Sequence, residues 1–230
     1  MFWNWLFRWV VVGPIIRLFF RVHVEGMENL PSQGPFIIAA GPHRTEFESL
    51  ILATYLRRHW LRFYAKEEYW EAHKLLGKLM TAIGLIPVPR SAKRALLAQI
   101  EKGVATLKAG NILAIYPEAT RGYDEYMHRG YPGVAHISQK AGGVMIVPVG
   151  MIGMRKLNPP GKGLHPGRAT IVIGKPIRPR FVLPHPDEHV RMETVLELFT
   201  TKSLVTKISM EIARLSTAEY LDEVLPVPGS

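Results

Sequence analysis

The chain of 230 residues contains no cysteine. That excludes a disulfide framework, thiolate-held zinc or iron–sulfur sites, and a cysteine nucleophile. Acid is missing from two long stretches. Residues 1–24 carry Arg8, Arg17 and Arg21 with no Asp or Glu, and residues 126–186 carry nine Lys or Arg, again with no acid. These two stretches hold more positive charge than the whole net charge of +10, so the rest of the chain is slightly acidic. Several signatures are also absent: a G-x-x-x-x-G-K-[ST] phosphate loop, a G-x-G-x-x-G turn after a strand, a G-x-S-x-G elbow and an H-E-x-x-H helix. No internal repeat or low-complexity tract is present. The composition, 47% hydrophobic and 21% charged, is that of a folded chain of one main domain.

A localised positive excess calls for an anionic partner: nucleic acid, a membrane surface, or a phosphorylated substrate. Nucleic acid fits poorly, because the basic stretch interleaves few aromatics with its charges. The first stretch favours a membrane. Residues 2–20 read FWNWLFRWVVVGPIIRLFF, with three of the five tryptophans of the chain in the first nine residues. A span needs about 20 mainly apolar residues. Here Arg8, Arg17 and the Gly13-Pro14 pair interrupt the run, and Pro14 should split it into two pieces too short to cross. Arg8 shares a helical face with Asn4, as Arg17 does with Arg21. The pattern predicts amphipathic helices over 1–24 lying in the membrane interface, with arginines reaching headgroup phosphates. An apolar helix packed on the domain and a kinked single span are the alternatives.

From about residue 33, short apolar runs alternate with helical patterns. Strands are expected at Pro35–Ala40, Leu61–Ala65, Ile86–Pro89, Ile112–Tyr116, Val144–Val149 and Ala169–Ile173. Helices are expected near 46–58, 68–82, 92–109, 133–141 and within 187–222. This predicts an α/β domain over 25–222, with a mixed, largely parallel sheet flanked by helices, and a flexible tail at 223–230. His185 and His189 are four apart, but Pro186, Asp187 and Glu188 between them read as a helix start, so no metal site is expected.

Four elements carry chemistry. His43, in Gly-Pro-His-Arg-Thr-Glu-Phe-Glu after a strand, is a general-base candidate. A carboxylate on its other ring nitrogen would fix the tautomer. Glu48 is five residues on, too far round a helix to share a face with His43, so the pair requires His43 in the turn before the helix; Glu46 is a competing partner. Arg90 ends Gly84-Leu-Ile-Pro-Val-Pro-Arg, and an arginine fork suits phosphate. Tyr116-Pro-Glu-Ala-Thr-Arg-Gly122 puts a carboxylate, a hydroxyl and an arginine at the C-terminal mouth of a strand, where open α/β sheets bind ligands. In Val144–Val149, Pro148 suggests a bulge or a sheet edge.

Taken in order, His-x4-acid, G-x5-R, [FY]-P-E-x-T-R and V-P-V resemble the motifs of the glycerolipid acyltransferases of the 1-acylglycerol-3-phosphate type, across residues 23–178. The resemblance implies acyl transfer to the free hydroxyl of a lysophospholipid such as 1-acylglycerol-3-phosphate, yielding phosphatidic acid in phospholipid biosynthesis. The donor would be acyl-CoA or acyl carrier protein, with no cofactor. His43 would be the base and Glu48 its orienting group. Arg90, Arg121 and Lys66 would hold the glycerol phosphate, while Glu118, Ala119 and Thr120 would shape that pocket. The implied location is peripheral or monotopic, on the cytoplasmic face of the cell membrane. Two positions depart from the pattern: Glu48 stands where the family usually has Asp, and Ala119 where it usually has Gly. They leave open another lysolipid, amino-acid lipid or glycolipid acceptor, and a non-catalytic lipid-binding role.

Overall fold

The run Ile-Ile-Ala-Ala-Gly forms strand β2 (Ile37–Gly41), and every one of its residues is buried. A strand buried on both faces belongs at the centre of a sheet covered on both sides. The computed structural model describes residues 13–45, 47–56, 60–72, 74–89, 92–159, 162–179 and 190–226. Around β2 it assembles β1 (Phe20–Glu25), β3 (Leu61–Lys66), β4 (Leu85–Val88), β5 (Ile112–Ile115), β7 (Ile146–Ile152) and β8 (Gly167–Ile173), in the order β1-β8-β7-β2-β5-β3-β4. Two short strands, β6 (Met127–His128) and β9 (Tyr220–Leu221), pair apart from this sheet.

Successive residues of each strand feed opposite cores. Ile38, Ala40, Ala114 and Val147 pack on one face with Ile16, Ile51, Leu52 and Leu157. Ile37, Ala39, Leu113 and Ile115 pack on the other with Ile100, Leu107, Ile137, Ile208 and Ile212. The first layer is built by helices Gly13–Phe19, Glu48–Tyr55 and Met154–Leu157, the second by Ala92–Lys108, Gly133–Lys140 and Val190–Ser216. The result is the mixed, largely parallel α/β architecture expected from the alternation of elements.

Strand direction places the site. β2, β3, β4, β5 and β7 run parallel, β8 is antiparallel to β7, and β1 is parallel to β8. The C-terminal ends of five strands therefore share one sheet edge with the N-terminal ends of β1 and β8.

The structure corrects several expectations. Residues 20–24, assigned to a membrane-interface helix, belong to β1, which pairs with β8 from Phe20↔Gly167 to Glu25↔Val172. Its alternation of buried and exposed residues, with β-branched Val22 and Val24, is a strand pattern that the apolar bias of the segment concealed. Arg17 and Arg21 thus lie on different elements. Helix Gly13–Phe19 contains Pro14. Residues 1–12 lie outside the described residues. The 68–82 pattern yields two helices, Glu68–Ala72 and Lys74–Ala82, and the 187–222 region ends in β9 rather than in helix. Pro148 sits inside β7 rather than at a sheet edge, opposite a bulge: Val149 pairs with Ile173 and Ile146 with Ile177, so three residues stand opposite two. The Pro148 carbonyl accepts from Gly174 N at 2.9 Å, toward β8 and just past the last ladder pair Val149↔Ile173. The donor that Pro148 lacks would point the same way, into this irregular stretch, where a regular ladder is already interrupted.

Candidate active site

The strand β2 ends at Gly41, and the chain turns through Pro42 before helix Glu48–Tyr55 begins. His43 lies in that turn and Glu48 is the first helical residue, so the five-residue separation closes. His43 Nδ1 is 2.7 Å from Glu48 Oε2. Glu48 is fully buried, and its other oxygen accepts the backbone N–H groups of Arg44 at 2.9 Å and Thr45 at 3.0 Å. One carboxylate thus ties down the turn and orients the imidazole. With Glu48 ionised, Nδ1 carries the proton and Nε2 presents a lone pair. Glu46 lies outside the described residues.

The loop after β5 packs against this turn. Tyr116 stacks on His43, with ring centroids 4.0 Å apart and planes within 11°. Its hydroxyl is 3.1 Å from Ser49 Oγ. Burial, and then the nearby Glu48 carboxylate, push the Tyr116 phenol well above its usual range, against the opposing hydrogen bond of Ser49. The ring is thus a neutral plate. The Glu118 carboxylate is fully buried and bridges two loops: it accepts His43 N at 2.7 Å and His128 N at 3.0 Å. Burial raises its pKa, opposed by these hydrogen bonds and by Arg44. Gly122 N donates to His43 O at 2.9 Å, closing the same pair of loops. Glu118 therefore shapes the site from behind, through backbone, rather than through substrate contact.

Arg44 is a residue of the candidate site that motif reading passed over. Its side chain is buried between acids, with Nη1 at 4.0 Å from Glu118 Oε1 and Nη2 at 3.9 Å from Asp124 Oδ1. Nη2 also donates to the Tyr126 carbonyl. A Cβ on Gly122 would sit 2.2 Å from Arg44 Nη1, so a side chain there would displace the guanidinium from this seat. Asp124 in turn lies 2.8 Å from His128 Nε2. The signal was there in the Arg immediately after His43 and the Gly that ends the third motif, but their meeting depends on two loops folding together.

The other candidates fall around this centre. Ala119 is exposed and adopts φ 59°, the left-handed region. Thr120 and Arg121 follow, half-buried. Lys66 is exposed at the C-terminal end of β3, on the same sheet edge as His43. From β2 to β3 is two strand steps, or roughly 10 Å. Arg90 lies outside the described residues, as do His185 and His189.

The family model described as Acyltransferase matches residues 21–152. The chain is 26% identical over 161 residues to the chloroplastic 1-acyl-sn-glycerol-3-phosphate acyltransferase of Arabidopsis thaliana, covering 69% of this chain and 44% of that protein. It is 29% identical over 163 residues to the Chlamydomonas reinhardtii protein of the same name, covering 70% of this chain and 48% of that one. With the Bacillus subtilis protein of that name it shares 27% identity over 165 residues, 71% of this chain and 77% of the relative. The chain thus spans about half the length of its plant and algal relatives. The crystal structure of the 1-acyl-sn-glycerophosphate acyltransferase PlsC from Thermotoga maritima superposes with a TM-score of 0.59 at 26% identity, over 87% of this chain and 80% of that one.

Proposed function

The chain belongs to the acyltransferase family, and we propose that it transfers a fatty acyl group from a thioester, acyl-CoA or acyl carrier protein, to the free hydroxyl of 1-acylglycerol-3-phosphate. The observation that carries this reading is the 2.7 Å contact between His43 Nδ1 and the buried Glu48 carboxylate at the C-terminal edge of the sheet. In this mechanism Nε2 of His43 takes the hydroxyl proton as the acceptor oxygen attacks the thioester carbonyl. The tetrahedral intermediate collapses, the C–S bond breaks, and the imidazolium returns its proton to the departing sulfur. The products are phosphatidic acid and the free thiol, and no acyl-enzyme forms. Glu48 holds the tautomer and offsets the charge that forms on the ring. Arg121, Lys66 and Arg90 supply positive charge for the glycerol phosphate.

The reaction is proposed to run at a membrane surface, on the cytoplasmic face. Among the described residues no helix is long and apolar enough to cross a bilayer. Helix Gly13–Phe19 leaves Ile15, Leu18 and Phe19 exposed, which suits an interfacial seat. The test is thiol release from acyl-CoA and from acyl carrier protein, in the presence of lysophosphatidate, a neutral lysolipid or an amino-acid lysolipid. Release that depends on lysophosphatidate, and is lost in a folded His43→Ala variant, is the expected result. Preference for another acceptor would replace the substrate, and near-normal turnover of His43→Ala would overturn the mechanism.

A further inference from the structure

Two arginines face one another on the outermost strand pair of the sheet. The parallel register of β1 and β8 sets Arg21 beside Arg168. In a parallel ladder, register partners project from the same face of the sheet. Here that is the face away from the core that takes Phe20, Ala169 and Ile171. Both arginines are exposed. Neither has a hydrogen bond or ion pair with another described residue, and Glu25, the acid of β1, is taken by His23 at 3.6 Å. Like charges directly opposite each other destabilise a strand pair unless an anion sits between them.

Their position gives the pair a meaning. Because β8 runs against β7, Thr170 pairs with Ile152 while Gly150 pairs with Gly41 of β2. Arg21 and Arg168 therefore lie at the same sheet edge as His43, two residues further out than the Ile152–Thr170 level, or roughly 7 Å. Three strand steps, roughly 14 Å, separate β1 from β2 across the sheet. Helix Gly13–Phe19 leads directly into β1 at this edge, with Leu18 83% exposed beside Ile15 and Phe19.

We propose that Arg21 and Arg168 form a binding site for the phosphate of an anionic bilayer lipid, and that with the exposed apolar residues Ile15, Leu18 and Phe19 they seat the catalytic edge of the sheet on the membrane. Charge complementarity identifies the occupant: two guanidinium groups with no partner among the described residues, in acid-free stretches at the same sheet edge as an exposed apolar helix, match a phosphate layer over hydrocarbon. The seating brings His43 to the plane in which a lysolipid exposes its hydroxyl. This inference rests on the membrane-surface reading of the function and specifies which edge touches the lipid.

The test is sedimentation of the full chain with phosphatidylcholine vesicles, with and without phosphatidylglycerol, measured without turnover. A failure of the acyl-transfer reading therefore leaves its outcome untouched. The double variant Arg21→Gln/Arg168→Gln should bind anionic vesicles about 30-fold more weakly, from roughly a tenfold or smaller loss per arginine near an anionic surface. Its binding to neutral vesicles, and its kcat on a short-chain, monomeric lysophosphatidate, should not change. Leu18→Gln should weaken binding to both vesicle types about tenfold. Lys175→Gln/Arg178→Gln removes the same charge just past the far end of β8 and should change binding less than threefold. Equal losses in the two double variants would overturn the site in favour of diffuse charge. Unchanged vesicle binding with a raised KM for the acyl donor would overturn it in favour of a donor phosphate site.

Discussion

The ring of Tyr116 lies flat against that of His43, 4.0 Å away and 11° from parallel. One face of the imidazole is thereby closed, while Glu48 holds its edge. The electron-rich ring also meets the imidazolium that forms when His43 takes a proton. Tyr116→Phe keeps the plate and should stay within about threefold of the parent kcat. Tyr116→Leu should lower kcat about tenfold with the acceptor KM unchanged, in line with the worth of an aromatic pair. A Leu variant that raised KM alone would make Tyr116 a binding residue.

Glu48 separates an electrostatic role from a merely structural one. In Glu48→Gln the amide oxygen must still accept from Arg44 N and Thr45 N, which turns the NH2 toward His43 Nδ1. That nitrogen must then accept, and the proton moves to Nε2, where it blocks base catalysis. The expected loss in kcat is on the order of ten-thousandfold, near that of the corresponding change in a Ser-His-Asp triad. Glu48→Asp keeps the charge and the tautomer and should lose less. Equal rates for the two variants, from steady-state kinetics on folded protein, would contradict the assignment.

Glu118 makes stability depend on pH in a particular direction. Burial raises its folded-state pKa above the ordinary 4.5, so in the window above that value the folded chain binds more protons than the unfolded one. Stability from this group therefore falls as pH rises through the window. Glu118→Gln removes the slope. It also turns an NH2 toward one of the two backbone donors, costing about 1–3 kcal/mol. Urea midpoints for both proteins across the window should show the parent's advantage shrinking with rising pH; an advantage that grew would refute the direction.

Ala119 adopts φ 59°. A side chain there costs about 1–2 kcal/mol, partly recovered through the smaller unfolded-state entropy of alanine relative to glycine. Ala119→Gly should raise stability by roughly 0.5–1 kcal/mol and leave kcat nearly unchanged. Thermal unfolding and a rate assay check both halves.

Arg121, at the end of the Tyr116–Arg121 motif, is assigned to the acceptor phosphate. Arg121→Ala should raise the KM for lysophosphatidate by tenfold or more, as loss of a charge-assisted contact implies, while the donor KM stays put. A shift in the donor KM instead would move the phosphate pocket.

Much of this protein was decided locally and is legible in the residues themselves. β-branched apolar runs bounded by glycine, proline and asparagine favour strands, and periodic apolar stretches between them favour helices. All six strands expected after residue 33 therefore exist. The His-x4-Glu spacing likewise demanded a turn before a helix, because no straight helix brings those side chains together. What the sequence could not express is pairing between distant segments. Phe20–Glu25 looks interfacial in isolation and becomes a strand only because Gly167–Ile173 offers it a ladder. Pro148 is harmless in a central strand only because β8 ends beside it. Arg44 with Glu118, Tyr116 with His43, and Arg21 with Arg168 are each more than 70 residues apart. Local propensity extends over a few residues, and only the folded sheet brought these side chains to one edge.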